Sequence, residues 1–250
     1  MQVVVDSLLT TYDRKGKGKT VLLLHGWGDN SNTFTHLSAA LDSQYEIVSL
    51  DLPGFGQTQT PPEVWDLDSY ASFIKSFTDK LGIKHVYSIV GHSNGGALAI
   101  RGLAQGSLQA DKLVLIAASG VRPVKTLRRL ALMVIAKVGK VATFWLPSQK
   151  RQSLRKKLYG VAGSDMLVAP NLQATFKKTV RQDVQADAKQ LTQPTLLIYG
   201  AKDRAVPLQD GKRYLQLITH SHLEILPEAE HFVHHNQAAK VEALIKEFLA

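Results

Sequence analysis

The segment Gly91-His92-Ser93-Asn94-Gly95 is the strongest indication of architecture in this chain, because it places a serine between a predicted strand and a predicted helix. Before it, the apolar and β-branched run 85–90 predicts a buried strand. After it, residues 96–104 are poor in polar side chains and predict a helix. A G-x-S-x-G sequence in this context is typical of a nucleophile elbow, a tight turn that exposes the serine hydroxyl. The glycines are needed because larger side chains would collide with the adjoining strand and helix.

Two further residues supply the partners that a nucleophilic serine requires. A serine hydroxyl is weakly nucleophilic at neutral pH, so it needs an adjacent base, and the base needs an orienting acid. Asp203 follows the buried run 194–200, and His231 follows the last predicted strand, 222–227. Loops beyond the carboxyl ends of strands are where open α/β sheets build their sites. The predicted catalytic set is therefore Ser93, Asp203 and His231.

Other assignments of the acid and the base are weaker. The loop after the predicted strand 113–116 offers no carboxylate, which favours Asp203 as the acid. His234 and His235 compete with His231, but they fall where the final helix is expected to begin. No matching cluster of ligands accompanies these histidines, so no metal site is predicted. No phosphate-binding loop or diffusible cofactor is indicated either.

Five motifs in the same order resemble those of the α/β-hydrolase superfamily. They are the strand and turn 22–28, the D-x-P-G-F-G loop 51–56, the elbow 91–95, the acid loop 200–207 and the histidine loop 230–232. The order serine, aspartate, histidine is also that of this superfamily. The chain departs from the pattern at Glu230, because most members have glycine just before the histidine. The resemblance covers most of the chain outside 121–190.

The resemblance implies a capped serine hydrolase of the esterase and lipase branch. In such an enzyme His231 takes the proton of Ser93, while Asp203 orients the imidazole. The backbone N–H groups of Trp27 and Asn94 are expected to bind the oxyanion. Water then attacks the acyl-enzyme. The expected substrate is a small-molecule ester with an apolar acyl part.

Strand-like runs alternate with helical patterns, which predicts an α/β fold with a mostly parallel, doubly wound sheet. The helical patterns cover 67–81, 94–106 and 237–249, and residues 1–12 resemble an edge hairpin. We expect an α/β-hydrolase core formed by 1–120 and 191–250. The intervening segment, 121–190, is the predicted helical cap.

The positive charge of the chain is concentrated in the predicted cap. The whole chain has a formal net charge of +9, whereas 121–190 alone has fifteen basic and three acidic residues, a net charge of +12. Apolar residues recur at helical spacing from Leu127 to Trp145, with lysines and arginines on the opposite arc. The simplest interpretation is a lid helix whose apolar face covers the site. The alternative is contact with an anionic membrane surface or an acidic substrate.

Several function classes are disfavoured by the composition. Few aromatic residues and no recognition motif accompany the basic segment, so no nucleic-acid binding is predicted. The chain contains no cysteine, which excludes thiol catalysis. Its first residues lack the features of a signal peptide, and no apolar run is long enough to span a bilayer. Cytoplasmic localisation is the default expectation.

Four alternatives to ester hydrolysis remain open. Thioester hydrolysis and acyl transfer use the same acyl-enzyme. Carbon–carbon hydrolases of ring-cleavage products share the catalytic set, although many have tryptophan after the histidine, where this chain has Phe232. A ligand receptor or signalling protein with a vestigial triad is the alternative from another class, because a fold does not dictate function.

Ionic strength tests the proposed contact between the cap and an anionic partner. If the basic segment captures such a partner, activity on an ester bound to anionic vesicles falls steeply as salt is raised, because salt screens exposed charges. Activity on a short neutral ester stays constant. Equal salt responses of the two substrates would contradict the capture hypothesis.

Overall fold

A computed structural model describes residues 1–122 and 169–250, and within them eight strands form one sheet in the order β1-β2-β4-β3-β5-β6-β7-β8. The strands are β1 (Gln2–Val5), β2 (Leu8–Lys15), β3 (Lys19–Leu24), β4 (Tyr45–Leu50), β5 (Val86–His92), β6 (Ala110–Ile116), β7 (Thr195–Gly200) and β8 (Ser221–Leu226). β1 pairs with β2, and β2 with β4, in antiparallel fashion; every other neighbouring pair is parallel. The predicted mostly parallel sheet and its edge hairpin are confirmed.

Helices connect the parallel strands. They are α1 (Thr35–Leu41), α2 (Leu67–Lys80), α3 (Asn94–Ala104), α4 (Gln173–Thr179), α5 (Gln185–Ala188), α6 (Leu208–Leu217), α7 (Val233–Asn236) and α8 (Ala238–Leu249). The helices predicted over 67–81, 94–106 and 237–249 are confirmed as α2, α3 and α8, with ends that differ by at most two residues from the prediction. Local capping contributes to these boundaries: Asp66 accepts a hydrogen bond of 3.0 Å from the Ser69 amide at the start of α2.

The sheet is covered on both faces, as a doubly wound fold requires. Leu22 and Leu24 of β3 join the apolar cluster that α2, α3 and α6 form with one face. Val21 and Leu23, which point the other way, join a second cluster with α1 and α8. Burial of both faces explains why the central strands are continuous apolar runs instead of alternating ones.

Part of the predicted cap packs into the main core. The helix predicted between Leu127 and Trp145 lies outside the described residues. Near the end of the predicted cap, Val184 and Ala188 are fully buried in the same apolar cluster as α2 and α3. An ion pair of 3.0 Å between Arg101 of α3 and Asp187 of α5 joins this segment to the core.

The helices within 1–122 and 169–250 are all too short or too polar to cross a bilayer.

The central strand β3 provides a test of the packing. Leu22 is fully buried, whereas Leu215 on α6 is 41% exposed. Leu22→Ala is expected to lower the free energy of unfolding by about 2–5 kcal/mol, because it leaves a cavity between the sheet and its helices. Leu215→Ala, the same substitution at the surface, should change it by about 0.5 kcal/mol or less. Urea denaturation of both variants measures the difference; equal losses would contradict the assigned core.

Candidate active site

Ser93 lies in a sharp turn between β5 and α3, where its backbone has φ 50° and ψ −115°. A positive φ is uncommon for a residue with a Cβ and persists only where the surroundings enforce it. Two hydrogen bonds hold the turn to the strand beside it: the Ser93 amide donates to the Ile116 carbonyl (3.0 Å), and the Ser119 amide donates to the Ser93 carbonyl (3.0 Å). The predicted strand–elbow–helix arrangement is confirmed.

The glycines of the motif are required by close backbone approach. A Cβ on Gly95 would lie 2.1 Å from the Leu24 carbonyl oxygen, and a Cβ on Gly91 would lie 2.6 Å from the Cα of Gly96. Neither distance is compatible with a side chain, and the obstructing atoms belong to backbone that cannot move aside easily. A larger side chain at either glycine would therefore collide with the backbone, as the sequence predicts.

The structure brings Ser93, His231 and Asp203 into one hydrogen-bonded series. His231 Nε2 lies 3.1 Å from Ser93 Oγ, and His231 Nδ1 lies 2.8 Å from Asp203 Oδ2. The carboxylate facing Nδ1 favours the tautomer with its proton on Nδ1, which leaves the Nε2 lone pair directed at the serine. The imidazole is therefore placed to accept the hydroxyl proton.

Asp203 is fixed by the loop that carries it. Its Oδ1 accepts hydrogen bonds from the amides of Ala205 (2.8 Å) and Val206 (2.9 Å), and its side chain is fully buried. These two amides satisfy the oxygen that does not face the histidine. Since a buried carboxylate needs several donors, the arrangement holds Oδ2 in position for His231.

The turn after β3 lies directly against the serine. A Cβ on Gly26 would come within 3.1 Å of the Ser93 Cβ. Outside the segment that the structure omits, the backbone amides of Trp27 and Asn94 donate no hydrogen bond to another residue. His25 supports the turn, because its Nδ1 lies 2.7 Å from the Gly26 carbonyl oxygen and its Nε2 accepts from the Leu52 amide at 2.8 Å. Burial lowers the pKa of His25, which keeps the ring neutral in this role.

Two more histidines lie behind His231. His92 Nε2 donates to the His231 carbonyl (3.2 Å), and the ring of His234 lies 4.6 Å from that of His92. Burial, followed by the neighbouring His234 and His231, lowers the pKa of His92 well below its usual range. Burial also lowers the pKa of His234 to about 3, with His235 and His231 adding to the effect. Within residues 1–122 and 169–250, no group of three or more potential ligands is arranged to hold a metal ion.

A cavity of about 840 Å³ opens beside the serine. Its apolar lining includes Trp27, Leu67, Phe176 and Val180. The Trp27 ring packs against Phe176 with centroids 5.1 Å apart. Its polar lining includes Ser119, Arg122, Gln182, Gln209 and Asp210.

Sequence reasoning missed Phe176, Gln209 and Asp210. Each lines the cavity only because α4 and α6 pack beside the carboxyl ends of the strands. A sequence signal existed for Asp210, which comes seven residues after Asp203 in the first turn of a helix. Acidic residues in a first helical turn are common, so the signal has little specificity.

With this geometry established, a family assignment follows from comparison with known proteins. Residues 21–244 match the model of the alpha/beta hydrolase family. The chain belongs to the alpha/beta hydrolase family. This match includes the elbow, the acid loop and the histidine loop, and it spans the segment that the structure leaves undescribed.

Relatives of this alpha/beta hydrolase align along nearly its whole length. An uncharacterised protein of Mycobacterium tuberculosis is 28% identical over 261 residues, which cover 94% of this chain and 76% of that protein. The 2-hydroxy-6-oxo-2,4-heptadienoate hydrolase of Pseudomonas putida is 26% identical over 263 residues, covering 99% of this chain and 95% of that enzyme. The structure of a meta-cleavage product hydrolase from Pseudomonas fluorescens IP01 is similar with a TM-score of 0.75 and 26% identity, over 99% of this chain and 96% of that one.

The buried histidines of this hydrolase predict how its stability depends on pH. His234 has an unfolded-state pKa near 6.5 and a folded-state pKa of about 3, so below 6.5 the unfolded chain binds a proton that the folded chain does not. Stability is therefore complete above 6.5 and falls as the pH decreases, by up to about 1.4 kcal/mol per pH unit for one group. We expect His234→Gln to lower this slope by about one proton between about pH 6 and pH 5.

Urea denaturation at several pH values measures that slope. His220→Gln is the matched control, because His220 is exposed and should leave the slope unchanged. If His234→Gln had the same slope as the unmodified protein, His234 would not be the buried neutral group described above.

Proposed function

We propose that this protein is a serine hydrolase that cleaves carboxylic esters through an acyl-enzyme. The observation that carries the proposal is the hydrogen-bonded series of Ser93, His231 and Asp203. His231 Nε2 lies 3.1 Å from Ser93 Oγ, and His231 Nδ1 lies 2.8 Å from Asp203 Oδ2. The distances are in hydrogen-bond range, as base-assisted activation of a serine requires. The series lies at the wall of a cavity large enough for a small molecule.

The proposed reaction begins when Ser93 Oγ attacks the carbonyl carbon and transfers its proton to His231 Nε2. Asp203 stabilises the resulting imidazolium through the hydrogen bond from Nδ1. The tetrahedral oxyanion accepts hydrogen bonds from the amides of Trp27 and Asn94, which have no other partner among the residues described. Each such donor contributes about 3–4 kcal/mol in comparable enzymes.

Collapse of the tetrahedral intermediate then breaks the bond between the carbonyl carbon and the leaving oxygen. His231 donates its Nε2 proton to this oxygen, so the alcohol leaves neutral and the acyl group remains on Ser93. A water molecule attacks the acyl-enzyme, with His231 again as the base, and releases the carboxylic acid. An alcohol in place of water would give acyl transfer, and a thioester would react by the same steps.

The shape of the cavity supports an ester with an apolar part. Trp27, Leu67, Phe176 and Val180 present apolar surface in the cavity beside Ser93. Burial of an alkyl chain there provides about 0.8 kcal/mol per methylene group. We therefore propose a small-molecule substrate whose apolar chain lies against these four residues.

Carbon–carbon bond hydrolysis is the second candidate. It is supported by the relatives named for a 2-hydroxy-6-oxo-dienoate and for meta-cleavage products, both 26% identical to this chain. Phe232 argues against it, because many carbon–carbon hydrolases have tryptophan at this position after the histidine. Ester hydrolysis is therefore the first reaction to test.

Turnover of p-nitrophenyl butyrate tests the proposal. We expect many turnovers by the unmodified protein and a loss of about 10³-fold or more in Ser93→Ala, because the nucleophile is gone. Ser88→Ala is the matched control: Ser88 lies on β5, the strand that leads to Ser93, is fully buried, and its hydroxyl has no hydrogen-bond partner in the described structure. This variant should retain turnover.

The possible outcomes separate the functions. Turnover of 2-hydroxy-6-oxo-2,4-heptadienoate alone would replace the ester proposal with the carbon–carbon candidate. Release of about one equivalent of product per protein, without further turnover, would favour a receptor. Equal activity of Ser93→Ala and the unmodified protein would contradict the assignment of Ser93.

A further inference from the structure

Asp210 is a cavity residue that the proposed reaction does not use. It lies in the first turn of α6, where its amide donates to the Pro207 carbonyl at 2.8 Å. The same cavity is lined by Ser93 and His231. Among the residues that the structure covers, no side chain or amide donates a hydrogen bond to the Asp210 carboxyl, and no cation pairs with it within 4.0 Å.

This carboxyl is in an unfavourable environment for a charge. Burial, followed by the nearby negative charge of Asp203, raises the pKa of Asp210 to about 6. The residue is half-buried and lines the cavity, so its carboxyl is available to accept a hydrogen bond from a ligand group. Asp203 differs in this respect, because its carboxylate accepts hydrogen bonds from two backbone amides and faces His231.

Arg122 lines the same cavity as Asp210, and its positive charge acts on Asp210. Arg122 is held at this place by its amide, which donates to Asp183 Oδ2 (2.9 Å), and by its Nε, which donates to the Gln182 carbonyl (3.3 Å). A neutral hydroxyl group can donate to the Asp210 carboxyl without bringing another charge into the cavity.

We infer that Asp210 is a specificity-determining residue, which accepts a hydrogen bond from a hydroxyl group of the substrate remote from the bond that is cleaved. The preferred substrates would then be hydroxy esters whose alkyl part lies against the apolar residues of the cavity and whose hydroxyl reaches Asp210. This inference rests on the proposed ester hydrolysis.

Matched ester pairs test the inference. The substrates are ethyl hexanoate, ethyl 3-hydroxyhexanoate and ethyl 6-hydroxyhexanoate, assayed at about pH 8, where the Asp210 carboxyl is ionised. We expect the unmodified protein to prefer at least one hydroxy ester over ethyl hexanoate by about 10- to 100-fold in kcat/KM, the effect of one hydrogen bond to a charged group.

Substitution of Asp210 should remove this preference. In Asp210→Leu the ratio of kcat/KM for the favoured hydroxy ester to kcat/KM for ethyl hexanoate should fall towards one, because both esters share any change in the common reaction steps and only the hydroxy ester loses the hydrogen bond. Asp210→Asn keeps one acceptor oxygen and should retain part of the preference. Asp111→Leu is the control, since Asp111 is exposed at the opposite, amino-terminal end of β6.

Inhibition provides a second measurement if ethyl esters react slowly. Hexane-1,6-diol should inhibit p-nitrophenyl butyrate turnover more strongly than hexan-1-ol does, and Asp210→Leu should lose the difference. A hydroxyl preference that is identical in Asp210→Leu and the unmodified protein would overturn the inference. So would a stronger, Asp210-dependent preference for ethyl 6-aminohexanoate, which would assign the residue to a cation.

The two proposals fail in distinguishable ways. Hydrolysis that depends on Ser93 but shows no hydroxyl preference overturns only the role of Asp210. Hydrolysis that is unchanged in Ser93→Ala overturns the proposed function, whatever the substrate preference.

Discussion

The backbone of Ser93, with its positive φ of 50°, is the constraint on which the arrangement of the site depends. Such a conformation costs about 1–3 kcal/mol and persists because hydrogen bonds to β6 and the loop after it hold both sides of the residue. Gly91 and Gly95 allow strand and helix to approach within distances that a Cβ would not permit. The hydroxyl is consequently held where His231 and the turn before Trp27 meet it.

Burial of charge and its compensation organise the surroundings of this serine. Asp203 is buried as a carboxylate because two amides and His231 satisfy it, whereas His92 and His234 remain neutral because burial disfavours a positive charge there. Neutral rings can pack directly behind His231 without repelling the imidazolium that the proposed reaction forms. Within 1–122 and 169–250, no residue donates a hydrogen bond to the Asp210 carboxyl.

Much of the fold and the site could be predicted from sequence because the signals are local. Buried parallel strands are continuous apolar runs, and Ser93 and Asp203 each follow such a run. His231 follows the edge strand β8, which is largely not buried. The cavity walls could not be predicted, since Phe176 and Asp210 reach the site only through the packing of α4 and α6. Val184 and Ala188 were predicted in the cap because 121–190 falls outside the recognised family motifs; the structure buries both in the core.

The most direct test of the account is the site and rate of labelling by a fluorophosphonate, followed by intact-protein and peptide mass spectrometry. The account predicts a single adduct on the peptide that contains Ser93. Because His231 activates this hydroxyl, His231→Gln should slow the labelling by about 10²- to 10⁴-fold. An adduct on another residue, or equal rates in the two proteins, would contradict the claim that the geometry around Ser93 makes it the nucleophile.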